Sequence, residues 1–493
     1  MASRSLAPRR RFATREVGRS LAPPLIALGL AVVCATALVL SIQIGIALLL
    51  ALLFVPLALL RLPLALSTWV FLLFFARIST LGGVTNRILL FVAICWIGLL
   101  LGRRASLRET FAGSQAVVAL ALVFISWLLF SLLWAPVAGA AERPIKELLY
   151  SSLGFLLVFG AVKTRRDLRW LTIAFVAGAA LTVAWGATKG GLGLSAGAAG
   201  SEINDLEGRF QAGAGDPNYL AAVLVPAAVL AGGLTFRRGL ARRTLLALAT
   251  LTIAVGIAAT QSRGGLIAAS GCALVALAIW KGRRGTVAIV ILLVLAGVGV
   301  YFLNDPSALQ RVQESNHGSG RLDIWTVAWR VVQDHPIFGV GLAQFPQVSP
   351  HYVLAPGLLE YANLIIEKHI VVHNLYLQLW AEDGIVGLLL FLALVVASLR
   401  RGWRAVRQFE ALGDRELATA ARTVLIALIG MLIASFFLSN LEAGQLWVLL
   451  ALGPVLARLA TQQARAVAPL HSPGLEPIAP PAPLRPRGRL VPG

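Results

Sequence analysis

The sequence predicts an all-α, polytopic integral membrane protein with about 12–14 transmembrane helices and one large helical loop outside the membrane. Of its 493 residues, 58% are hydrophobic and only 13% are charged, which is more apolar surface than a soluble core requires. The apolar runs lack the alternating pattern of barrel strands. Because backbone in lipid must satisfy its own hydrogen bonds, these runs are predicted to be helices.

The apolar segments give the individual spans. They lie at 21–40, 42–60, 64–76, 88–101, 115–134, 148–162, 169–187, 218–236, 244–260, 264–280, 286–303, 384–399, 418–438 and 445–459. A helix needs about 20 residues to cross the membrane, so the second and third segments could instead form one hairpin or a re-entrant element. The first segment follows an arginine-rich start, and we expect a signal-anchor that remains as the first span.

The basic residues orient these spans. Alternate loops are rich in Lys and Arg, at 102–108, 163–169, 237–243, 281–284 and 400–407. Because such loops stay in the cytoplasm, both termini are predicted to be cytoplasmic. The formal net charge of +21 follows this topology, so it predicts contact with membrane lipid and no nucleic-acid partner.

The predicted organisation has five parts. A basic cytoplasmic amino terminus (1–20) precedes transmembrane helices with short loops (21–303), among them an outer loop at about 188–217. The large outer loop (304–383) is long enough that it should be either functional or disordered. Because it contains Trp325, Trp329 and Trp380, we expect it to fold as a small helical subdomain. Transmembrane helices (384–459) and a disordered cytoplasmic tail (460–493) complete the chain.

Several kinds of site are not indicated by the sequence. The three cysteines, Cys34, Cys95 and Cys272, each lie inside an apolar run, and no Cys/His spacing resembles a zinc site. A nucleotide-binding GxxxxGKS loop and a zinc-binding HExxH motif are also absent. We therefore expect no metal and no cofactor.

Two outer motifs contain arginines suited to binding an anion. Arg263, in QSRGG, lies at the outer end of a span beside two glycines that allow a ligand close to the backbone. Arg321, in SGRLDIW, begins a helix that Ser319 could cap, and backbone N–H groups at a helix start attract anions. The alternatives are an interfacial anchor for Arg263 and, for Arg321, a surface ion pair with Asp323 or a nearby acid.

Two further outer motifs supply polar residues at helix starts. In HNLYLQLWAEDG, His373 could take up a proton, with Asn374, Tyr376 and Glu382 as candidate substrate-binding residues. In RFQAGAGDPN, Arg209 and Asn218 are two further candidate substrate-binding residues. Each has a plainer structural interpretation: His373, Asn218 and Asp216 could simply start helices, Arg209 could be an exposed loop residue, and Glu382 with Asp383 could form a hinge at the membrane.

In order and topology, these motifs resemble the O-antigen ligase and O-antigen polymerase superfamily of bacterial envelope enzymes. The likeness covers roughly residues 205–400 and rests on SRGG at an outer membrane boundary, GR..IW and P..GVG in a long outer loop, and HN.YL....E.G..G at its end. The resemblance implies a bacterial cytoplasmic (inner) membrane protein with its active site on the periplasmic face.

The resemblance also implies an activity. Such enzymes transfer glycan from an undecaprenyl-diphosphate donor to an acceptor, which is lipid A-core for ligases and a lipid-linked glycan for polymerases. It implies a metal-independent, inverting glycosyltransferase in which Arg263 and Arg321 contact the diphosphate and His373 is the catalytic base. The residues themselves fit, since guanidinium groups stabilise a departing diphosphate and a histidine can deprotonate a hydroxyl.

Two other functions remain open at this point. A transporter or flippase of lipid-linked oligosaccharide would be expected to carry charges in mid-span and discontinuous helices, whereas most charges here lie in loops. A non-catalytic scaffold for envelope assembly would tolerate replacement of Arg263, Arg321 and His373. The sequence does not separate ligase from polymerase.

Overall fold

The structure is a computed structural model that describes residues 54–77, 79–102, 110–190, 209–234, 239–280, 320–354, 359, 362–368 and 370–467, with isolated positions from 284 to 303. Its helices with defined bounds are α1 (Leu62–Leu72), α2 (Ser79–Gly102), α3 (Gln115–Phe130), α4 (Glu142–Ala161), α5 (Arg165–Gly190), α6 (Pro217–Leu234), α7 (Leu240–Ala259), α8 (Arg263–Ile279), α9 (Arg321–Asp334), α10 (Phe345–Val353), α11 (Ala362–Lys368), α12 (Leu375–Ala411), α13 (Arg415–Ala434) and α14 (Gly444–Val467). Short 3-10 turns extend several of them, and no strand occurs in the described residues.

The helices confirm an all-α polytopic membrane protein. Among the described residues, eight helices are long and apolar enough to cross a membrane, and three shorter apolar helices lie at Leu62–Phe75, Arg243–Ala259 and Arg263–Ile279. The spans predicted at 21–40 and 286–303, and most of 42–60, lie outside the described residues or are described only at isolated positions. The other predicted spans coincide with observed helices.

Several helices extend beyond the predicted spans, and α12 and α14 do so most clearly. Helix α14 continues to Val467, past the predicted end of the last span at 459. Helix α12 begins at Leu375, before the predicted span at 384, and the non-helical backbone of Gly384 divides it. An apolar run identifies only the part of a helix that lies in lipid, so polar extensions of the same helix are not seen.

Helix α14 forms the centre of the membrane domain. It is almost wholly buried and packs mainly against α12 and α4. The contact with α12 is close: a Cβ added to Gly453 would lie 2.6 Å from the carbonyl oxygen of Ser398, and the Ser398 hydroxyl donates to the carbonyl of Leu450 at 2.6 Å. Small residues that let helix backbones approach are typical of packing in membranes.

Ion pairs and hydrogen bonds join several helices at one end of the bundle. Arg165, at the start of α5, pairs with Asp414 before α13, and Arg169 pairs with Glu416 at 3.1 Å. At the same end, Arg458 of α14 donates to the carbonyls of Phe159 and Val162, where α4 ends. These contacts join the loops that the sequence assigns to the cytoplasm.

The large loop folds into a subdomain with its own core at the opposite end. Helices α9, α10, α11 and the start of α12 surround buried apolar side chains that include Ile324, Val331 and Phe345. Two further contacts attach the subdomain: the Trp325 indole N–H donates to the carbonyl of Val372 at 3.1 Å, and the Trp329 and Trp380 rings meet edge to face at 5.5 Å. The described part of the predicted loop is therefore helical.

Two motifs of the resemblance pack directly on each other. Along the segment PIFGVG, Val340 and Gly341 donate backbone N–H groups to the carbonyls of Ala381 and Glu382, and Ile385 donates to that of Pro336. Gly384 has φ 70°, and a side chain there would collide with the carbonyl of Ile337. The subdomain is thus fixed to the kink of α12 by main-chain contacts that require glycine.

Candidate functional site

Four helices begin at one place on the face opposite the basic loops: α6, α8, α9 and α12. Each carries a residue singled out in the sequence at or just before its first turn: Asn218, Arg263, Arg321 and His373. Unpaired N–H groups and the helix dipole make a helix start electropositive. Four such starts together favour an anion.

The polar residues gathered there form what we call the arginine cluster, defined as Arg209, Asp216, Asn218, Arg263, Arg321 and His373. Charge interactions link Arg321 with Arg263, Asp216 and His373, and they link His373 with Asp216. The cluster brings together segments up to 164 positions apart in the sequence, from residue 209 to residue 373. It contains the three predicted catalytic residues.

Arg209 fixes the segment before α6 against the end of α7. Its Nε donates to the carbonyl of Thr260 at 2.9 Å, and its Nη2 donates to Oδ1 of Asn218 at 3.1 Å. Asp216 accepts the backbone N–H of Tyr219 at 2.8 Å and so caps α6. The turn predicted to start this helix is confirmed, and Arg209 is partly buried in the cluster.

Arg263 and Arg321 each occupy the first position of a helix. Ser262 caps α8 by accepting the N–H of Gly265 at 3.3 Å, and Gly320, at φ 74°, precedes α9. The proposed cap Ser319 lies outside the described residues. Within the part of the chain that the structure describes, Arg321 forms no ion pair with Asp323, which was the alternative left open for it.

Arg321 lies in an electrostatically unfavourable environment near Arg263. Burial lowers the pKa of Arg321, the positive charge of Arg263 lowers it further, and Asp216 opposes both effects. An arginine remains charged even when its pKa falls. Neighbouring guanidinium groups at helix starts attract anions, so the cluster is suited to a ligand with more than one negative charge.

His373 is held in an unusual backbone conformation beside these arginines. Its φ is 53°, which is uncommon for a residue other than glycine, and its N–H donates to Oγ of Ser439 at 3.0 Å. Burial, together with the charge of Arg321, lowers the pKa of His373 to about 4 against the opposing effect of Asp216. The imidazole is therefore neutral at neutral pH and able to accept a proton. Its Nδ1 is buried and has no hydrogen-bond partner among the described residues.

Asn374 and Tyr376 hold His373 in place. The Asn374 side-chain oxygen caps α12 by accepting the N–H groups of Tyr376 and Leu377 at 3.0 and 3.1 Å. The Tyr376 hydroxyl donates to the carbonyl of Leu432 at 2.8 Å, which joins the start of α12 to the end of α13. These polar groups are used within the protein, so both residues position the site.

Glu382 is not brought into the cluster. Its carboxylate accepts N–H groups from Phe345 and Ala343 and the amide of Gln378, and it is fully buried. Asp383 accepts the Ser131 hydroxyl at 3.0 Å. Both carboxylates belong to the junction between subdomain and membrane helices, and we leave Glu382 out of the proposed site.

One segment of the site was missed by the sequence reasoning, the turn after α13 at 435–443. Phe436 lies edge to face with Trp325 at 5.6 Å and near Phe437 at 5.3 Å. Close contact also links this turn to α8, because a Cβ on Gly264 would lie 2.8 Å from Cβ of Phe437. The signal was present in the predicted topology, which places this turn on the same face as the four motifs.

Other ionisable residues lie away from the cluster. His335 and His351 are exposed on the subdomain, while His317, His369 and His471 fall outside the described residues. Cys95 and Cys272 are buried free thiols, and Cys34 is outside the described residues. In the described part of the chain, no three His, Cys, Asp or Glu side chains are grouped to hold a metal ion.

Comparison with known proteins agrees with this geometry. No curated protein matches the chain. Residues 248–392 match the family model described as O-antigen ligase, a stretch shorter than half of the chain that includes Arg263, Arg321 and His373 but not Arg209 or Asn218. The chain therefore carries an O-antigen ligase family domain at 248–392, and its resemblance to the O-antigen ligase and polymerase superfamily is confirmed.

Proposed function

We propose that the protein transfers glycan from an undecaprenyl-diphosphate donor to an acceptor hydroxyl on the periplasmic face of the bacterial inner membrane. The observation that carries this proposal is the meeting of Arg263, Arg321 and a neutral His373 at four helix starts. The family match supports glycan transfer in general. The donor is inferred to be a diphosphate because the positive charges of the cluster favour an anionic group.

The donor diphosphate binds between Arg263 and Arg321. Breaking the bond between the anomeric carbon and the diphosphate oxygen leaves negative charge on that oxygen, and preorganised cations and helix starts stabilise this charge most in the transition state. Arg209 supports the cluster by fixing Asn218 and the carbonyl of Thr260. This part of the reaction needs only the cations that the chain provides.

His373 accepts the proton of the acceptor hydroxyl. The acceptor oxygen then forms its bond to the anomeric carbon from the side opposite the leaving diphosphate, so the configuration inverts and undecaprenyl diphosphate departs. The bound diphosphate is negative, so it offsets the positive charge of Arg321 and raises the pKa of His373 when the donor is present. The histidine is thereby a better base in the complex than in the free enzyme.

The polyprenyl chain leaves the cluster along an apolar surface of α8 and the turn after α13. Phe436 is 45% exposed and packs against Trp325 and Phe437. Ile267 and Leu274 are also exposed, and their spacing of seven residues puts them on one face of α8. A donor held by its diphosphate would therefore keep its lipid in the bilayer.

Reconstitution of the purified protein tests this proposal. Undecaprenyl-diphosphate repeat units would be supplied alone and then with lipid A-core, and the products resolved by length. Chain growth from the donor alone makes the protein a polymerase, whereas transfer only with lipid A-core makes it a ligase. Well-folded protein that forms no product with either acceptor contradicts the proposed function.

A further inference from the structure

A second group of polar side chains lies on the same face as the arginine cluster. We call it the acceptor patch and define it by Arg77, Arg143, Glu147, Tyr219, Glu442 and Gln445. It combines the turn after α1, the first turns of α4 and α6, and the connection between α13 and α14. The proposed mechanism uses none of these residues.

Specific contacts hold the patch together. The Arg77 guanidinium lies over the Tyr219 ring at 4.0 Å from its centroid. The Tyr219 hydroxyl donates to Oε1 of Gln445 at 3.2 Å, and Nε2 of Gln445 donates to the carbonyl of Leu73 at 3.1 Å. Aromatic and amide groups are thus fixed in place before any ligand binds.

Two carboxylates complete the patch. Glu147 pairs with Arg143 at 2.8 Å. Glu442 lies within electrostatic range of Glu147, Arg77 and Arg143, yet it has no ion pair within 4 Å among the residues that the structure describes. Its main-chain carbonyl accepts the Ser151 hydroxyl at 2.6 Å, which fixes the turn against α4. The backbone of Glu442 is therefore fixed, and its carboxylate oxygens can accept further hydrogen bonds from a ligand.

The patch and the arginine cluster share two short segments. At the start of α6, Asn218 contacts Arg209 of the cluster, and the next residue, Tyr219, contacts Gln445 of the patch. In the other segment, Ser439 binds the backbone of His373, and Gln445 follows six positions later. The two sites are thus adjacent, as a two-substrate transfer requires, because donor and acceptor must meet within bonding reach of one base.

Asn440, which lies between these two contacts, gives an independent indication of a polar ligand. It is 1% exposed, and neither its side-chain oxygen nor its nitrogen has a hydrogen-bond partner among the described residues. A buried amide without partners is unfavourable and rare in native proteins. A ligand with several hydroxyl groups, bound with a small movement of this turn, would supply the missing partners.

The charges of the patch indicate the class of ligand. Its two arginines are balanced by two glutamates, whereas the arginine cluster has three arginines and one aspartate. We propose that the acceptor patch binds the acceptor as an uncharged sugar, whose hydroxyls donate to the carboxylates of Glu147 and Glu442. Because its charges balance, the patch lacks the excess positive charge that would favour a phosphorylated sugar. This inference rests on the proposed function.

The test measures the KM of each substrate for two variants, Glu442→Gln and Glu147→Gln. Because Glu147 is partly exposed, its substitution should not disturb folding. Acceptors are lipid A-core, the same material dephosphorylated with hydrofluoric acid, and a repeat unit on farnesyl diphosphate. Glu416→Gln, at the opposite end of the molecule, is the matched control. Loss of one hydrogen bond to a charged group should raise the acceptor KM about tenfold. The donor KM and the affinity for undecaprenyl diphosphate should stay as in the parent protein.

Three outcomes are distinguishable. If the parent protein transfers glycan but both variants keep the parent acceptor KM, the acceptor patch is wrong while the proposed function stands. If only the phosphorylated acceptor is used, the uncharged-sugar inference is overturned. If the parent protein transfers to none of the three acceptors, the proposed function fails and this inference with it.

Discussion

Arg263 and Arg321 lie within electrostatic range of each other in the arginine cluster, and this proximity leads to a direct prediction about donor use. Arg263→Ala should lower kcat/KM for the donor by about 100-fold, which is the usual effect of losing one group that stabilises a developing oxyanion. Arg169→Ala removes an arginine of an ion pair at the opposite end and is the control. Steady-state kinetics in nanodiscs provide the measurement, and an unchanged kcat/KM for a stable Arg263→Ala protein would contradict the assignment.

The lowered pKa of His373 predicts the pH dependence of the reaction. Because the charged imidazole is disfavoured, His373 stays neutral from pH 7 down to its pKa of about 4, and activity should fall as the pH drops below that value. The profile of kcat/KM reports the free enzyme, and that of kcat reports the complex. Since the bound diphosphate offsets Arg321, the acidic limb of kcat should lie at higher pH than that of kcat/KM. Coincident limbs would mean that the donor charge does not reach the histidine.

Individual residues were predicted from the sequence with mixed success. Asn218, Arg263, Arg321 and His373 meet in one cluster because each lies at or next to a helix start, which their motif positions indicate. Arg209 joins them through its hydrogen bonds to Asn218 and Thr260. Glu382 had the same kind of position, but its side chain points to the subdomain junction, and only tertiary contacts could show that. The turn at 435–443 was missed because its residues form no distinctive motif.

At the scale of elements, the kink in α12 connects the outer subdomain to the membrane helices. Gly384 and the segment 336–341 share main-chain hydrogen bonds, and the start of α12 carries His373. The kink therefore sets the position of His373, the proposed catalytic base, relative to the membrane helices. Hydropathy predicted the span but not the polar first turns of the same helix, since those lie outside the lipid.

Gly384→Ala tests this connection. The left-handed backbone alone should cost about 1–3 kcal/mol, and the new Cβ would collide with the carbonyl of Ile337, so the melting temperature in detergent should fall. Gly98→Ala is the control, because Gly98 is helical with nothing within 4 Å of an added Cβ, and it should be neutral or slightly stabilising. Equal melting temperatures for the two variants would show that the junction does not require glycine.

At the scale of the whole molecule, the two ends of the helices have different electrostatic roles. The end with the basic loops is joined by ion pairs such as Arg169 with Glu416, and the other end gathers arginines around helix starts. The sequence predicted this division from loop charge alone. The positive-inside rule accounts for the Lys and Arg of the cytoplasmic loops, so the arginines in outer loops were left as candidates for ligand binding. Which helix starts meet could not be predicted, since that depends on the packing of helices distant in the sequence.

The measurement that tests the central claim most directly compares Arg321→Ala with His373→Ala in nanodiscs. Equilibrium binding of undecaprenyl diphosphate and single-turnover transfer would be measured on the same preparations. We predict that Arg321→Ala loses affinity by at least about tenfold, the effect of one charge-assisted hydrogen bond. His373→Ala should keep the parent affinity while transfer stops. Normal transfer by Arg321→Ala, or loss of diphosphate binding in His373→Ala, would contradict the division of roles on which the account depends.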